Sequence, residues 1–333
     1  MNGHRTQRQR RGLEHDPEPQ VSDSKKLQTF WIRSCCKNKE LEHIIRACME
    51  GRLSPAGALI RIILETDSPT DFHAFFTGPD GPVAESRAAA ERLHALSNLA
   101  IQHADSWGTV RATAAAVSHD VAPLDDPQTE VARLAAEFDQ AARSSPEASV
   151  ALYSFGKADW LDAATGEVVA WLEVRGVTGA ERDFLDIGCG IGRLECALHH
   201  KVRSIVGIDI SPQMVNIARE RCGSHGNVRI QHTSGMDLAQ FPNAAFDCVI
   251  AVDTFPYLHM ASGLAERHLA EASRVLRPRS DLVILNFSYR DSVEMDRTDL
   301  RRFADHFGFR ILADGVRPFG QWDGVAFLLS RFN

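Results

Sequence analysis

The chain is 333 residues long, 44% apolar and 24% charged, with a formal net charge of −7. That length suits one large domain with a smaller one beside it, and the acidic balance argues against a broad nucleic-acid footprint, which would favour a basic surface. Seven cysteines, an odd number without paired spacing, point to reduced thiols rather than a disulfide framework, and no apolar run approaches the ~20 residues that cross a bilayer. A cytoplasmic protein without a membrane segment is the expectation.

Residues 1–22 carry Arg5, Arg8, Arg10 and Arg11 with no apolar segment behind them, so they read as a disordered basic tail and not a secretory signal. Residues 23–146 read as an all-helical N-terminal domain. Ser54-Pro55 and Ser68-Pro69 each combine an N-cap with a first-turn proline. The cluster Gly78-Pro79-Asp80-Gly81-Pro82 breaks the chain before a longer helix over about 83–104, whose stripe is Ala89, Leu93, Leu96 and Ala100. Val131, Leu134, Ala135 and Phe138 define the buried face of another helix, about 128–143, and Ser144-Ser145-Pro146 reads as a linker. His43, His73, His94, His103 and His119 lack the i, i+4 pairing of a metal-binding helix, so no metal site is expected. This region is expected either to cover the mouth of the domain that follows or to form a homodimer contact.

Residues 147–333 alternate strands and helices, the pattern of an open, mostly parallel sheet wound on both faces. Strands are predicted over 183–187, 204–209, 228–232, 246–252, 282–288, 309–314 and 324–330, with helices over 191–200, 212–222, 263–276 and 297–307. The first strand runs into Asp186-Ile187-Gly188-Cys189-Gly190-Ile191-Gly192-Arg193. Alternating glycines let the backbone turn sharply and approach a ligand, and the helix that follows offers it free N–H groups. Asp209 closes the next strand, about 20 residues on, where a carboxylate can accept both hydroxyl protons of a ribose. A nucleoside-binding βαβ unit follows from these residues.

Two nucleosides compete. A dinucleotide fingerprint needs G-x-G-x-x-G/A, but the spacing here is G-x-G-x-G, with Arg193 where close helix packing wants a small residue. Asp186 would also repel a pyrophosphate, while it suits a ligand carrying ammonium and sulfonium charges. A nicotinamide-dependent oxidoreductase therefore stays as the alternative, beside a non-catalytic scaffold that binds a cofactor and engages a partner through its helices.

Over roughly residues 150–333 the sequence resembles the class I S-adenosylmethionine-dependent methyltransferases. The resemblance implies a seven-stranded sheet with an antiparallel last strand, and S-adenosylmethionine as cofactor. It implies that Asp186, Gly188, Cys189, Gly190 and Gly192 hold the methionine part, that Asp209 with Ile210 takes the ribose, and that Met214 packs on adenine. Met236 and Asp237, in Gly235-Met236-Asp237, would stand near the adenine amino group, with Val252 at the end of the fourth strand. Arg277-Pro278-Arg279-Ser280 departs from the family's usual Pro-Gly-Gly, a change confined to a loop. The Asn-Pro-Pro-Tyr-type motif of base-amine methylation is absent, so a small-molecule acceptor is expected and no nucleic acid.

The sulfonium methyl is already electrophilic, so the protein's main task is to position a nucleophile. A base is needed only where the acceptor must lose a proton. The segment after the fourth strand, Asp253-Thr254-Phe255-Pro256-Tyr257-Leu258-His259, supplies the candidates: Asp253 or His259 as base, and Tyr257 to orient the acceptor or wall the pocket. Asn286-Phe287-Ser288-Tyr289 is a second polar–aromatic patch. Tyr153, Phe155 and Gly156 form a candidate lid, and Arg317 with Trp322 a candidate contact for a planar or acidic acceptor.

Overall fold

The computed structural model describes residues 39–78, 81–118, 126–290 and 292–332. The basic tail, His119 and part of the 78–82 turn lie outside the described residues. Seven strands form one sheet: β1 (Gly179–Ile187), β2 (Val202–Asp209), β3 (Val228–His232), β4 (Phe246–Val252), β5 (Leu276–Leu285), β6 (Phe309–Val316) and β7 (Ala326–Arg331). Their order is β3-β2-β1-β4-β5-β7-β6. The pairs from β3 through β5 are parallel, whereas β7 runs antiparallel to both β5 and β6, so the sheet is mixed.

Side chains alternate across the central strands as the pleat requires. Leu185, Val249, Ala251, Leu282 and Ile284 join one core with α12 (Leu264–Val275) and α13 (Val293–Phe307). Phe184, Cys248, Ile250, Val283 and Leu285 join the other with α8 (Ala158–Val174) and α9 (Arg193–Leu198). Burial on both faces explains the continuous apolar runs in the sequence.

The fifth strand departs from the sequence reading at both ends. β5 begins at Leu276, directly out of α12, and pairs with Phe246 before a register shift to Asp281–Leu285. Arg279 sits at φ 61 within the shift, a left-handed position at a loop where the resembling family carries glycine. The strand stops at Leu285 because Asn286 also takes a left-handed conformation, φ 61, which ends the pleat.

Ahead of the sheet come α1 (39–49), α2 (Pro55–Glu65), α3 (Pro69–Thr77), α4 (Arg87–Gln102), α5 (Trp107–Ala116), α6 (Pro127–Ser144) and α7 (Pro146–Val150). The Ser-Pro signals act as read: Ser54 and Ser68 accept from Gly57 and Asp71 backbone N–H groups. Ser144-Ser145-Pro146 is not a linker. Ser145 caps α7 with Pro146 in its first turn, by the same chemistry. Helices α1 to α5 share a core that includes Leu59, Ile62, Leu96, Trp107 and Phe155. Helix α6 instead packs toward the sheet: Val131 joins the core of one sheet face, while Phe138 and Ala142 meet Ile191 and Met214. Asp139 of α6 accepts from Ser211 Oγ at 2.5 Å and Gln213 N at 2.9 Å, at the N-terminus of α10 (Pro212–Cys222).

Candidate active site

The carboxyl ends of β1, β2, β4 and β5 open on a cavity of about 1080 Å³. Its floor is the glycine loop. Gly188 and Cys189 donate their N–H groups to Ile208 O, at 2.8 and 3.0 Å, which binds the loop to β2. Gly188 has φ 77, and an added Cβ would stand 2.2 Å from Thr254 Oγ1. Thr254 Oγ1 in turn donates to Ile187 O at 2.7 Å. Gly190 has φ 54, and a Cβ there would meet Val150 of α7 at 2.5 Å. Both positions need glycine for conformation and for close approach.

Asp209 ties the loop together. Its Oδ2 accepts from Gly190 N at 2.9 Å and its Oδ1 from Ser211 N at 2.8 Å. Burial raises its carboxyl pKa, and those two N–H groups oppose the rise. Each oxygen keeps acceptor capacity for a hydroxyl. Asp186 is 2% exposed, and its carboxyl meets that of Glu195. Burial pushes its carboxyl from 3.8 up to about 7. Glu195 belongs to α9 and is fully buried, and its pKa is raised by burial and by Asp186. Glu195 presses on Gly207, where a Cβ would stand 2.3 Å from Oε1.

Asp253 closes β4 at φ 55 and Asn286 closes β5 at φ 61. Two non-glycine residues in this conformation cost of order 1–3 kcal/mol each and persist only where their surroundings hold them. Here the surroundings do so. Asn286 N donates to Val325 O and Asn286 Oδ1 accepts from Val325 N, both at 2.8 Å. The remaining amide hydrogens point at Asp253: Nδ2 donates to Oδ1 at 2.6 Å, and the Tyr289 hydroxyl reaches the same oxygen at 3.5 Å. Burial raises the Asp253 pKa, while Asn286, Arg193 and Tyr289 hold it back.

Of the other residues singled out in the sequence, Ile210, Met214, Asp237, Val252 and Tyr257 line the cavity. Tyr257 packs edge-on against Phe138 at 4.9 Å and Tyr289 at 5.8 Å. Cys189 also lines it, with its side chain packed among Val215, Ala218 and Ile230. Gly192, Met236 and His259 do not line it. Gly192 backs onto Ala218 and Cys222 of α10, and Met236 packs against a sheet core. His259 lies edge-on to Phe287 at 4.5 Å, with its pKa lowered by burial and a buried, unpartnered Nε2.

The lid residues divide. Tyr153, in the turn Leu152–Ser154, faces the cavity and stacks on Trp322 at 4.9 Å, which stacks on Phe319 at 4.8 Å. Phe155 turns the other way and stacks on His103 at 4.2 Å within the helical core. Arg317 donates to Asp323 O at 3.3 Å, and Asp323 accepts from Ser54 N at 2.8 Å, which joins the last loop to α2. Sequence reasoning missed Glu195, Arg193 and Asp139 as parts of this site. An acidic residue within a short apolar helix was the one available signal for Glu195. Among the described residues no group of three or more His, Cys, Asp or Glu side chains is placed to hold a metal.

The fold and the floor define a nucleoside-binding class of protein: a doubly wound sheet with a glycine turn after β1 and a buried acid after β2. The acidic Asp186 in the cavity lining fits a ligand with an ammonium group better than a pyrophosphate. A family profile described as a methyltransferase domain matches residues 185–284. A demethylmenaquinone methyltransferase of Tropheryma whipplei is 30% identical over 205 residues, 58% of this chain and 80% of that protein. A magnesium-protoporphyrin O-methyltransferase of Rhodobacter capsulatus is 33% identical over 73 residues, 22% of this chain and 32% of that protein. The structure of Haemonchus contortus phosphoethanolamine N-methyltransferase 1, complexed with phosphoethanolamine and S-adenosylhomocysteine, superposes with a TM-score of 0.50. It is 16% identical and covers 62% of this chain and 49% of that chain, a likeness of fold. The chain belongs to the class I S-adenosylmethionine-dependent methyltransferases and is an enzyme of that family. Its cofactor is S-adenosylmethionine, which settles the choice between the two nucleosides. Among the described residues no helix is long and apolar enough to cross a membrane.

Proposed function

We propose that this enzyme methylates a small, largely apolar acceptor held between the sheet and the N-terminal helices, with Asp253 taking the acceptor's proton. The observation that carries this reading is the Asp253 carboxyl itself. It stands at the end of β4 beside the glycine loop, is fixed by Asn286, and is raised in pKa by burial. A carboxylate shifted upward is a better proton acceptor near neutral pH than an exposed one.

S-adenosylmethionine supplies an electrophilic methyl group when bound. Asp186 would hold its ammonium, Asp209 the ribose hydroxyls, and Met214 and Asp237 the adenine end. The roof supports an apolar acceptor: Leu53, Ile60, Leu134 and Phe138 line it. A cavity near the upper end of the ~300–1,000 Å³ range of ligand pockets suits two occupants together. Tyr153 and Trp322 close one side and would exclude water from the transfer. Relatives that bear the names of demethylmenaquinone and magnesium-protoporphyrin methyltransferases support a bulky ring-bearing acceptor, without fixing whether carbon or oxygen accepts the methyl.

The test is S-adenosylhomocysteine formation with a panel of hydroxylated quinols, porphyrin carboxylic acids and small polar amines. Turnover of a ring-bearing acceptor, lost in Asp253→Asn with S-adenosylhomocysteine affinity retained, supports the reading. Turnover confined to the polar amines, or full activity of Asp253→Asn, contradicts it.

A further inference from the structure

Behind the glycine loop, on the side away from the cavity, two cysteines meet. Cys196 is in the middle of α9 and half-buried, and Cys222 is the last residue of α10 and 3% exposed. Their Sγ atoms are 2.9 Å apart, although 26 positions separate them in sequence. Cys222 Sγ also lies 3.5 Å from Gly192 O, which places the pair directly against the last residue of the loop.

We propose that Cys196 and Cys222 are a thiol–disulfide site, in which Cys196 meets a small disulfide oxidant first and Cys222 resolves the adduct. The two thiols are unlike in the way this order requires. Cys196 is half-buried and so within reach of a small oxidant, and its contact with Cys222 lowers the pKa of its thiol. A thiol with a pKa near ambient pH is close to the optimum for attack on a disulfide. Cys222, 3% exposed, is shielded from the oxidant, and the same contact and burial raise the pKa of its thiol. The remaining described cysteines give the site its selectivity. Cys48, Cys189 and Cys248 are buried at 5% exposure or less and are shifted upward by burial.

The chemistry balances with one equivalent of a low-molecular-weight disulfide such as oxidised glutathione. The Cys196 thiolate attacks one sulfur and expels a first glutathione thiolate. Cys222 then loses its proton and attacks the Cys196 sulfur, which expels the second. Two thiols lose two electrons and two protons, and the oxidant leaves as two glutathione molecules. The new bond would join α9 to α10, the helices that follow the glycine loop and Asp209. It would close a loop of the unfolded chain, so the oxidised protein should be the more heat-resistant form. The site does not depend on which acceptor the enzyme uses.

The test treats the full chain with oxidised glutathione at pH 7.5, blocks free thiols, and maps the peptides by mass spectrometry. The expected product is a Cys196–Cys222 cross-link that dithiothreitol reverses, with a raised thermal midpoint. Cys222→Ser should trap glutathione on Cys196, and Cys196→Ser should leave Cys222 unmodified. A persistent glutathione adduct on the unaltered chain would overturn the proposal. So would equal modification of Cys222 when Cys196 is serine, or no cross-link where the mapped peptides show other thiols reacting.

Discussion

The cavity's floor and roof are built by different physics. The floor is backbone: strand ends, glycines at positive φ, and two acids whose positions follow from the strands that carry them. The roof is side chains: helices α2, α5, α6 and α7 lean apolar faces over the loop, held by packing and by a few polar ties such as Asp139 to Ser211. A backbone-built site tolerates almost no change at a few positions. A packed roof tolerates many small ones, and so can be shaped to different acceptors without disturbing the cofactor end.

The sharpest way to break this contrast is to alter the floor by one methyl-bearing residue. Gly188→Val must abandon φ 77 and displace Thr254, so S-adenosylhomocysteine affinity should fall by more than 100-fold in calorimetric titration while far-UV circular dichroism stays near that of the parent. Near-parental affinity would show that the loop is not backbone-determined.

Next in size is the proposed base. Asp253→Asn should lower kcat by about 10²–10⁴-fold and leave S-adenosylhomocysteine affinity within about threefold. Asp209→Ala should weaken that affinity by roughly 10- to 150-fold, the equivalent of charge-assisted hydrogen bonds of about 1.5–3 kcal/mol. Unchanged affinity would remove Asp209 from the site.

The floor also has a pH signature. Asp186 and Glu195 bind protons more tightly in the folded chain than an ordinary carboxyl does. Folded-state pKa values above the unfolded ones favour folding at low pH, and that advantage is lost as pH rises from near 4 through about 7 for Asp186. Asp183 works the other way, because hydrogen bonds from Arg203 hold it below the usual carboxylate range, and its contribution fades only under more acid conditions. Relative to Asp186→Asn, the ligand-free parent should therefore lose melting temperature between pH 5.5 and pH 7.5, a comparison in which the opposing contribution of the buried histidines cancels. A difference between the two proteins that stays constant across that interval would contradict the protonation assigned to the floor.

The smallest effect belongs to the roof. Asp323→Ala removes the tie to Ser54 at the start of α2 and should cost about 1 kcal/mol, detected as faster hydrogen exchange in α2 with that in β1 and β4 unchanged.

What was legible in the sequence follows the same division. Asp186, the glycine spacing and Asp209 announce a backbone-built floor because strands, turns and left-handed glycines have short-range signatures. Ser145-Pro146 could have been read as a helix start, since Ser54-Pro55 obeys the same rule, but its position after a long helix suggested a linker. The fixing of Asp253 by Asn286 was hidden for a different reason. It depends on Val325, brought beside Asn286 only by the antiparallel β7. Glu195 was hidden because its environment is made by Gly207 on a neighbouring strand. Pairings of that kind are tertiary, and no local pattern carries them.

The central claim, that Asp253 accepts the acceptor's proton, is tested most directly by single-turnover methyl transfer followed against pH in the parent and in Asp253→Asn. The expected rate in the parent rises with pH through a single ionisation above the ordinary carboxylate range, and in the variant it is slow and lacks that ionisation. The same pH profile and rate in both proteins would contradict it.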